Sequence, residues 1–363
     1  MLYLFGYTFD IISKRVRLKL LVSALEHSAN IHLKALKREF LGNVEMIGIF
    51  DKKLGKPYVD LSSLAIMGFV DVIKKVRFFI KLNKQMASLA GEADKVLLID
   101  SSGFNLPLAK KIKKMYPNKE IIYYILPQAW AWKQKRIAVL QQTITHLASI
   151  LPFEKEYYSE NAPINYVGHP LLDEIKEFKQ TTSTNNQVVF MPGSREGEIK
   201  KLMPIFKQVK EDIHKAAVLI VPEHFTKAKI DKLYGDTSGF IVTSDVHHTL
   251  ATSDFAFICS GTATLEAALI GIPFALVYVA KAVDYFLASR LIKLNYIGLA
   301  NIMFEKFKHR PMHKEFIQKD VTKQNLLDVF HSVDKDLFVQ DSKALREYLK
   351  FGSSKTVARM IEC

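Results

Sequence analysis

The sequence predicts an α/β protein of two successive units, each a parallel sheet flanked by helices. Three observations predict it. Short, nearly continuous apolar runs recur along the chain, as strands covered on both faces require. Longer segments with apolar residues at helical spacing separate those runs. One polar stretch, Lys176 to Asn186 (KEFKQTTSTNN), interrupts the alternation, and the pattern then restarts.

The first unit is assigned residues 17–175, with strands at 17–24 (RLKLLVSA), 44–50, 95–100 (KVLLID), 120–126, 146–153 and 164–169. Helical periodicity fills Asn30–Phe40, Leu64–Ala90, Leu106–Met115 and Gln134–Gln141. The second unit, residues 187–340, has strands at 187–193, 216–222, 239–245, 254–260 and 273–279. Helices are expected over Glu198–Lys215, Phe225–Leu233 and Thr262–Ile270. Lys319 to Cys363 is helical in composition, with a C-terminal helix expected over 341–363. Two Rossmann-like domains with a cleft between them follow from this order.

Composition narrows the function classes. The 363 residues suit two domains of roughly 150 each. A hydrophobic share of 49% supports full cores. Lys and Arg number 51 against 37 Asp and Glu, a net charge of +14. That excess points to an anionic bilayer, phosphorylated ligands or nucleic acid, or simply to solubility. No nucleic-acid-binding module is recognisable, so nucleic acid is not expected as a partner. Cys259 and Cys363 are the only cysteines, which argues against a disulfide framework and a zinc site and fits a reducing compartment. Residues 1–16 (MLYLFGYTFDIISKRV) read as an N-terminal extension without the features of a secretory signal, and no transmembrane helix is expected.

Candidate chemistry lies where strands end. In doubly wound sheets ligands bind beyond the carboxyl ends of the strands. Asp100 ends an apolar strand there and is placed to act as a general base, or else to serve as a turn or cap aspartate. Glu26 and Ser28 are expected in the first strand-to-helix loop of the same rim, with Asn30 beginning the helix. In MPGSREGE, Gly193 permits a tight turn, Arg195 offers a planar fork for phosphate oxygens, and Glu198 is spaced to hold Arg195 or complete a cap. In CSGTATLEAALIGIP, Ser260, Gly261 and Thr262 are expected to present backbone amides and hydroxyls to a diphosphate, with Glu266 one turn on for ribose hydroxyls. Residues 64–86 are amphipathic and basic, setting Met67, Phe69, Phe78 and Phe79 beside Lys74, Lys75, Arg77 and Lys81. Such a stretch suits a membrane interface or a core helix with a solvated basic face. Residues 285–298 repeat the mixture. His169 and the pair Trp130 and Trp132 are read either as cleft residues or as packing.

Ten segments together resemble the lipid-A-disaccharide synthase family, glycosyltransferases of the two-domain GT-B type. They are LEHSAN, LAIMGFVDV, LIDSSGFN, ILPQAWAWKQKRI, LPFEKEYY, YVGHPLLDEI, MPGSREGEI, CSGTATLEAALIGIP, LIKLNYIGLANI and EFIQ, in family order from about residue 17 to about 320. The resemblance implies transfer of diacylglucosamine from UDP to the 6-hydroxyl of diacylglucosamine 1-phosphate (lipid X), without metal or other cofactor. It places the essential acid on Asp100 and the first-loop glutamate on Glu26. Donor-side roles fall on Arg195, Ser260, Gly261, Thr262, Glu266, Asn301, Glu315 and Gln318, and Glu198 is grouped with them. Acceptor or lipid contacts are expected from Ser28, Asn30, Met67, Phe69, Phe78 and Phe79. The first loop departs from the common GEASGD, with Asn30 replacing an acid and Ala29 a glycine. By the same analogy the C-terminal helix returns to the first domain, a homodimer is plausible, and the enzyme works at the cytoplasmic face of the inner membrane. Fold and nucleotide turn alone equally admit another UDP-GlcNAc enzyme, such as a lipid-linked GlcNAc transferase or a 2-epimerase. A non-catalytic basic protein for membrane or nucleic acid is the remaining alternative.

Overall fold

A computed structural model describes residues 18–66, 72–131, 134–182, 185–259, 261–279 and 295–363. The N-terminal extension, Met67, Phe69, Trp132, Ser260 and most of the basic stretch at 285–298 lie outside the described residues.

The first sheet has seven parallel strands. They are β1 (Leu18–Ser23), β2 (Val44–Phe50), β3 (Val59–Asp60), β4 (Lys95–Ile99), β5 (Glu120–Tyr124), β6 (His146–Ser149) and β7 (Ile164–Tyr166), in the order β3-β2-β1-β4-β5-β6-β7. Helices α1 (His27–Arg38), α2 (Leu61–Ile66), α3 (Val72–Leu89), α4 (Ser102–Met115), α5 (Lys135–Thr143) and α6 (Pro170–Glu174) accompany them. The second sheet has six parallel strands, β8 (Gln187–Met191), β9 (Ala216–Ile220), β10 (Ile241–Thr243), β11 (Phe255–Cys259), β12 (Phe274–Tyr278) and β13 (Lys314–Ile317), in the order β10-β9-β8-β11-β12-β13. Its helices are α7 (Glu196–Asp212), α8 (Lys227–Tyr234), α9 (Val246–Thr252), α10 (Thr262–Ile270), α11 (Leu299–Lys308) and α12 (Lys323–Ser332), followed by α13 (Lys335–Leu349) and α14 (Ser353–Glu362).

The strand pleat sends alternate side chains to opposite faces, and both faces are covered. Leu21, Val96 and Leu98 join one core with residues of α3 and α4. Leu20, Val22, Leu97 and Ile99 join the other, with Leu33 of α1 and Val357 and Ile361 of α14. In the second sheet Phe190 stacks on Phe257 at 5.4 Å and meets Phe206 at 5.3 Å, within an aromatic core. The opposite face of that sheet shares a single hydrophobic cluster with Trp130, Leu151, Phe153, Leu171 and Leu172 of the first unit.

Sequence order reverses between β1 and β4 and again between β8 and β11. Each reversal opens a crevice at the strands' carboxyl ends, and ligands of doubly wound sheets bind there. The loops that carry Glu26, Asp100, Gly193 and Gly261 therefore flank the two reversals.

Four expectations need correction. The KVLLID strand stops at Ile99, and Asp100 is already in the turn. Helix α1 begins at His27, so Ser28 lies in its first turn and Asn30 in its interior, not in a loop. Strands β3 and β13 complete the sheet edges. Residues 341–363 do not form one helix: left-handed backbone at Lys350 (φ 46°) and Gly352 (φ 90°) breaks it in two. Helix α13 packs on α10, whereas α14 packs on α1, α6 and β5. The crossing is fastened by hydrogen bonds. His169 N donates to the carbonyls of Leu349 (3.0 Å) and Lys350 (3.1 Å), and Asp173 accepts from Gly352 N and Ser354 N at 2.8 Å each. Gly168 must be glycine here, because a Cβ would stand 2.8 Å from the Lys350 carbonyl.

Candidate active site

The rim of the first sheet is built around a strained turn. Asp100 (φ 49°) and Ser101 (φ 43°) both adopt left-handed backbone. For residues with a Cβ this costs roughly 1–2 kcal/mol each. Buried groups hold the turn in place. Asn105, fully buried, donates from Nδ2 to the carbonyls of Asp100 (2.8 Å) and Ile99 (3.2 Å). Its Oδ1 accepts from the Ser23 hydroxyl at 2.6 Å, and the Tyr123 hydroxyl donates to Asp100 O at 2.6 Å. Ser101 Oγ donates to Glu26 Oε1 at 2.9 Å, linking the ends of β1 and β4. Burial, and next the neighbouring Glu26, push the Asp100 carboxyl above its ordinary value, while the Ser101 amide and His32 oppose the rise. A carboxyl destabilised in its charged form by its surroundings is a stronger proton acceptor, as a general base needs.

The rim of the second sheet is open. Gly193 (φ 92°) turns the chain after β8, and a Cβ there would stand 2.7 Å from Glu198 Oε2 and 3.2 Å from Cys259 Sγ. Arg195 is the residue at the start of α7, and its Nη1 donates to Glu198 Oε1 at 2.8 Å. The Arg195 side chain is 78% exposed, so Glu198 steers a guanidinium that still reaches solvent. After β11, Gly261 (φ 151°) leads into α10, and a Cβ there would meet nothing within 4 Å. Gly261 has no side chain to cap the helix, and Thr262 is exposed beside it. Glycine here leaves space in front of a helix start, the arrangement that accepts an anion. Glu266, one turn along, lies 3.8 Å from His247 Nε2. Its carboxyl is raised by burial first; His247 and His32 oppose the rise, and Glu174 adds to it. Glu174 and His32 belong to the first unit, so the two rims lie within each other's electrostatic reach.

The family model described as Lipid-A-disaccharide synthetase matches residues 20–362, most of the chain and both rims. The chain belongs to this family. Relatives named lipid-A-disaccharide synthase include one from Helicobacter pylori (strain J99), 46% identical, with 93% of this chain and 96% of that protein aligned. Another, from Campylobacter jejuni (strain RM1221), is 42% identical, covering 94% and 98%. Among solved structures, a UDP-GlcNAc 2-epimerase from Neisseria meningitidis aligns with a TM-score of 0.57 at 11% identity, covering 95% of this chain and 98% of that one. The calicheamicin glycosyltransferase CalG4 gives 0.57 at 11%, covering 95% and 97%. Those two likenesses bear on fold, and the fold is that of GT-B glycosyltransferases and their epimerase neighbours.

Within this family frame the residues singled out by sequence fall in different places. Asp100, Glu26, Arg195, Glu198, Gly261, Thr262 and Glu266 stand at the two rims. Asn301 and Asn30 do not present themselves to a ligand. Asn301 is fully buried, donating to His313 O and Glu315 Oε1 and accepting from the amides of Met312 and His313. Glu315 also accepts from Ile297 N and Gly298 N, so the pair braces the turn that enters α11. Gln318 is half-buried just beyond β13, with φ 56°. Asn30 donates to the carbonyls of Ala24 and Glu26 and accepts from Asp51 N, shaping the Glu26 loop from behind. Phe78 and Phe79 turn toward the core, where Phe79 meets Phe104 edge-on. Among the described side chains of α3, Val76 and Ile80 are apolar and about half exposed, with Arg77, Lys81 and Lys84 beside them. Trp130 packs against Phe153 in the shared cluster, and His169 caps α6, kept neutral by burial at about 3.

Sequence reasoning passed over Arg136, His32, Glu174 and His247. Arg136 Nη1 donates to Ser102 Oγ at 2.8 Å, two residues from Asp100. Its signal was present in the AWAWKQKR segment. The contact of His32 Nδ1 with Glu174 Oε1 joins residues 142 apart, a spacing no local pattern reveals.

Proposed function

We propose that this protein is an inverting glycosyltransferase that joins UDP-2,3-diacylglucosamine to 2,3-diacylglucosamine 1-phosphate, releasing UDP and the β-1,6-linked disaccharide 1-phosphate. The single observation carrying the reading is the opposition of the two rims: a desolvated, braced carboxyl on one and an open, glycine-lined helix start on the other.

The roles follow from the chemistry. Attack on the anomeric carbon needs a hydroxyl that loses its proton as the bond forms, and Asp100 takes that proton. One base suffices when configuration inverts. UDP leaves with growing negative charge, which the start of α10 and the Arg195 guanidinium stabilise. Glu266 accepts from ribose hydroxyls. The acceptor differs from the donor sugar in carrying a phosphomonoester, and that dianion must sit near a rim bearing Glu26 and Asp100. Arg136 supplies the cation. Residues 17–175 act as the acceptor domain and 187–340 as the donor domain, with closure aligning the sugars and excluding water.

Among the described residues no helix is long and apolar enough to cross a membrane. The lipid substrates are instead reached from the bilayer surface, where Val76 and Ile80 meet acyl chains and Arg77, Lys81 and Lys84 meet anionic headgroups. That surface is the cytoplasmic face of the inner membrane.

The test is incubation with both lipid substrates and detection of disaccharide 1-phosphate and UDP by mass. Turnover of UDP-GlcNAc to its 2-epimer, with no disaccharide formed, would refute the reading.

A further inference from the structure

Both backbone polar groups of Asp100 are committed. Its amide stays in the strand ladder and donates to Tyr124 O of β5 at 3.1 Å. Its carbonyl accepts twice, from Asn105 Nδ2 at 2.8 Å and from the Tyr123 hydroxyl at 2.6 Å. Asn105 comes from α4 and Tyr123 from β5, and both residues are fully buried. The next residue is held as closely. Ser101 O accepts from the amides of Phe104 and Asn105 at 3.0 Å each, and Ser101 Oγ donates to Glu26. The first turn of α4 is also tied to α3, since Asn83 Nδ2 donates to Phe104 O at 3.2 Å.

Asn105 is chemically matched to its place, which requires a group that gives two hydrogens and takes one. Nδ2 serves the carbonyls of Asp100 and Ile99, and Oδ1 accepts from Ser23 Oγ at 2.6 Å. An aspartate would set its oxygens against two carbonyls, and an apolar residue would remove the buried partner of Ser23. Ser23 is the last residue of β1, and β1 and β5 are the strands on either side of β4. Through Ser23 and Asn105, and again through Tyr123, the Asp100 carbonyl is tied to both neighbours of its own strand.

The backbone of a residue sets the direction of its Cα–Cβ bond. A carboxyl on left-handed backbone therefore points elsewhere than one on right-handed or extended backbone. Asp100 and Ser101 hold values (φ 49° and 43°) that residues with a Cβ avoid. Without these bonds the turn relaxes toward commoner backbone and the carboxyl swings with it. We propose that Asn105 and Tyr123 are positioning residues that aim the Asp100 carboxyl by gripping the carbonyl of the same residue, with Ser23 orienting the Asn105 amide. This rests on the assignment of Asp100 as base, and both residues act through it. A misplacement of about 1 Å at a reacting group can cost about a hundredfold in rate.

The test measures kcat, KM and UDP affinity in Tyr123→Phe, which removes only a hydroxyl, and in Asn105→Ala, each made alone and together with Asp100→Asn. Tyr123→Phe should lower kcat for disaccharide formation about tenfold and Asn105→Ala about a hundredfold, with KM for both substrates and the calorimetric Kd for UDP within about twofold. On the Asp100→Asn background neither change should lower the residual rate by more than about twofold, because a residue that aims a carboxyl has nothing to aim once the carboxyl is gone. A merely structural role gives the same fractional loss on both backgrounds, or raises KM and Kd while kcat falls, and either outcome overturns the proposal. If Asn105→Ala does not fold, the Tyr123→Phe measurements decide by the same criteria. Asp100→Asn separates the two levels. An active Asp100→Asn removes the base assignment itself, whereas an inactive Asp100→Asn with Tyr123→Phe at the wild-type rate removes only the positioning role.

Discussion

The turn after β4 and the turn after β11 occupy equivalent places in their sheets and are built in opposite ways. The first forces two residues with side chains, Asp100 and Ser101, into left-handed backbone and braces them with the buried Asn105, Tyr123 and Ser23. The second uses Gly261, where a Cβ would meet none of the described residues within 4 Å. The difference fits what each turn is proposed to handle. A proton acceptor must be one carboxyl in one place, with little water around it. A diphosphate needs room and unpaired amides. On that proposal, rigidity is concentrated where a proton moves and openness where a large anion enters.

Predictions that would break this contrast run from strong to weak. Asp100→Asn should fold with an unchanged melting temperature yet lose disaccharide formation by about two or more decades. Because the Asp100 carboxyl is raised, the wild-type rate should fall as pH drops through a value above the ordinary carboxylate range; a limb at or below it would contradict the burial of this group. Arg136→Gln should raise KM for the phosphorylated acceptor by about tenfold or more, as loss of a charge-assisted contact predicts, and leave KM for the UDP donor within twofold. An equal rise for both substrates would move Arg136 out of the acceptor site. Gly193→Ala meets both left-handed backbone and the Glu198 carboxylate, so it should lower stability by about 1–3 kcal/mol in denaturant titration and weaken UDP binding in calorimetry. Arg195→Lys keeps charge but loses the fork held by Glu198; on so exposed a side chain the donor KM should change only a few-fold.

Much of the fold was legible because parallel strands buried on both faces carry unbroken apolar runs, as FAFIC does over the whole of β11. The edges were not. Strand β3 is two residues long, and β13, KEFI, is polar enough to pass for loop. The start of α1 was displaced because Asn30 looked like a cap. Its side chain instead bonds backward to Ala24 and Glu26 from inside the helix. At the site, residues in strand-to-helix turns were readable from glycine and charge. The supporting groups were not, since Asn105 reads as an ordinary helical residue and His32 meets Glu174 only after two separate elements pack.

The return of α14 to the first sheet has a mechanical consequence. The halves are tethered twice, through the polar linker near residues 176–186 and through the fastened crossing at 349–354. A body held by one string can swivel freely, whereas one held by two can only swing about the line joining them. Under the proposed closure, opening and shutting would be confined to something like a door on a pair of pins, each swing bringing the same two edges back into register.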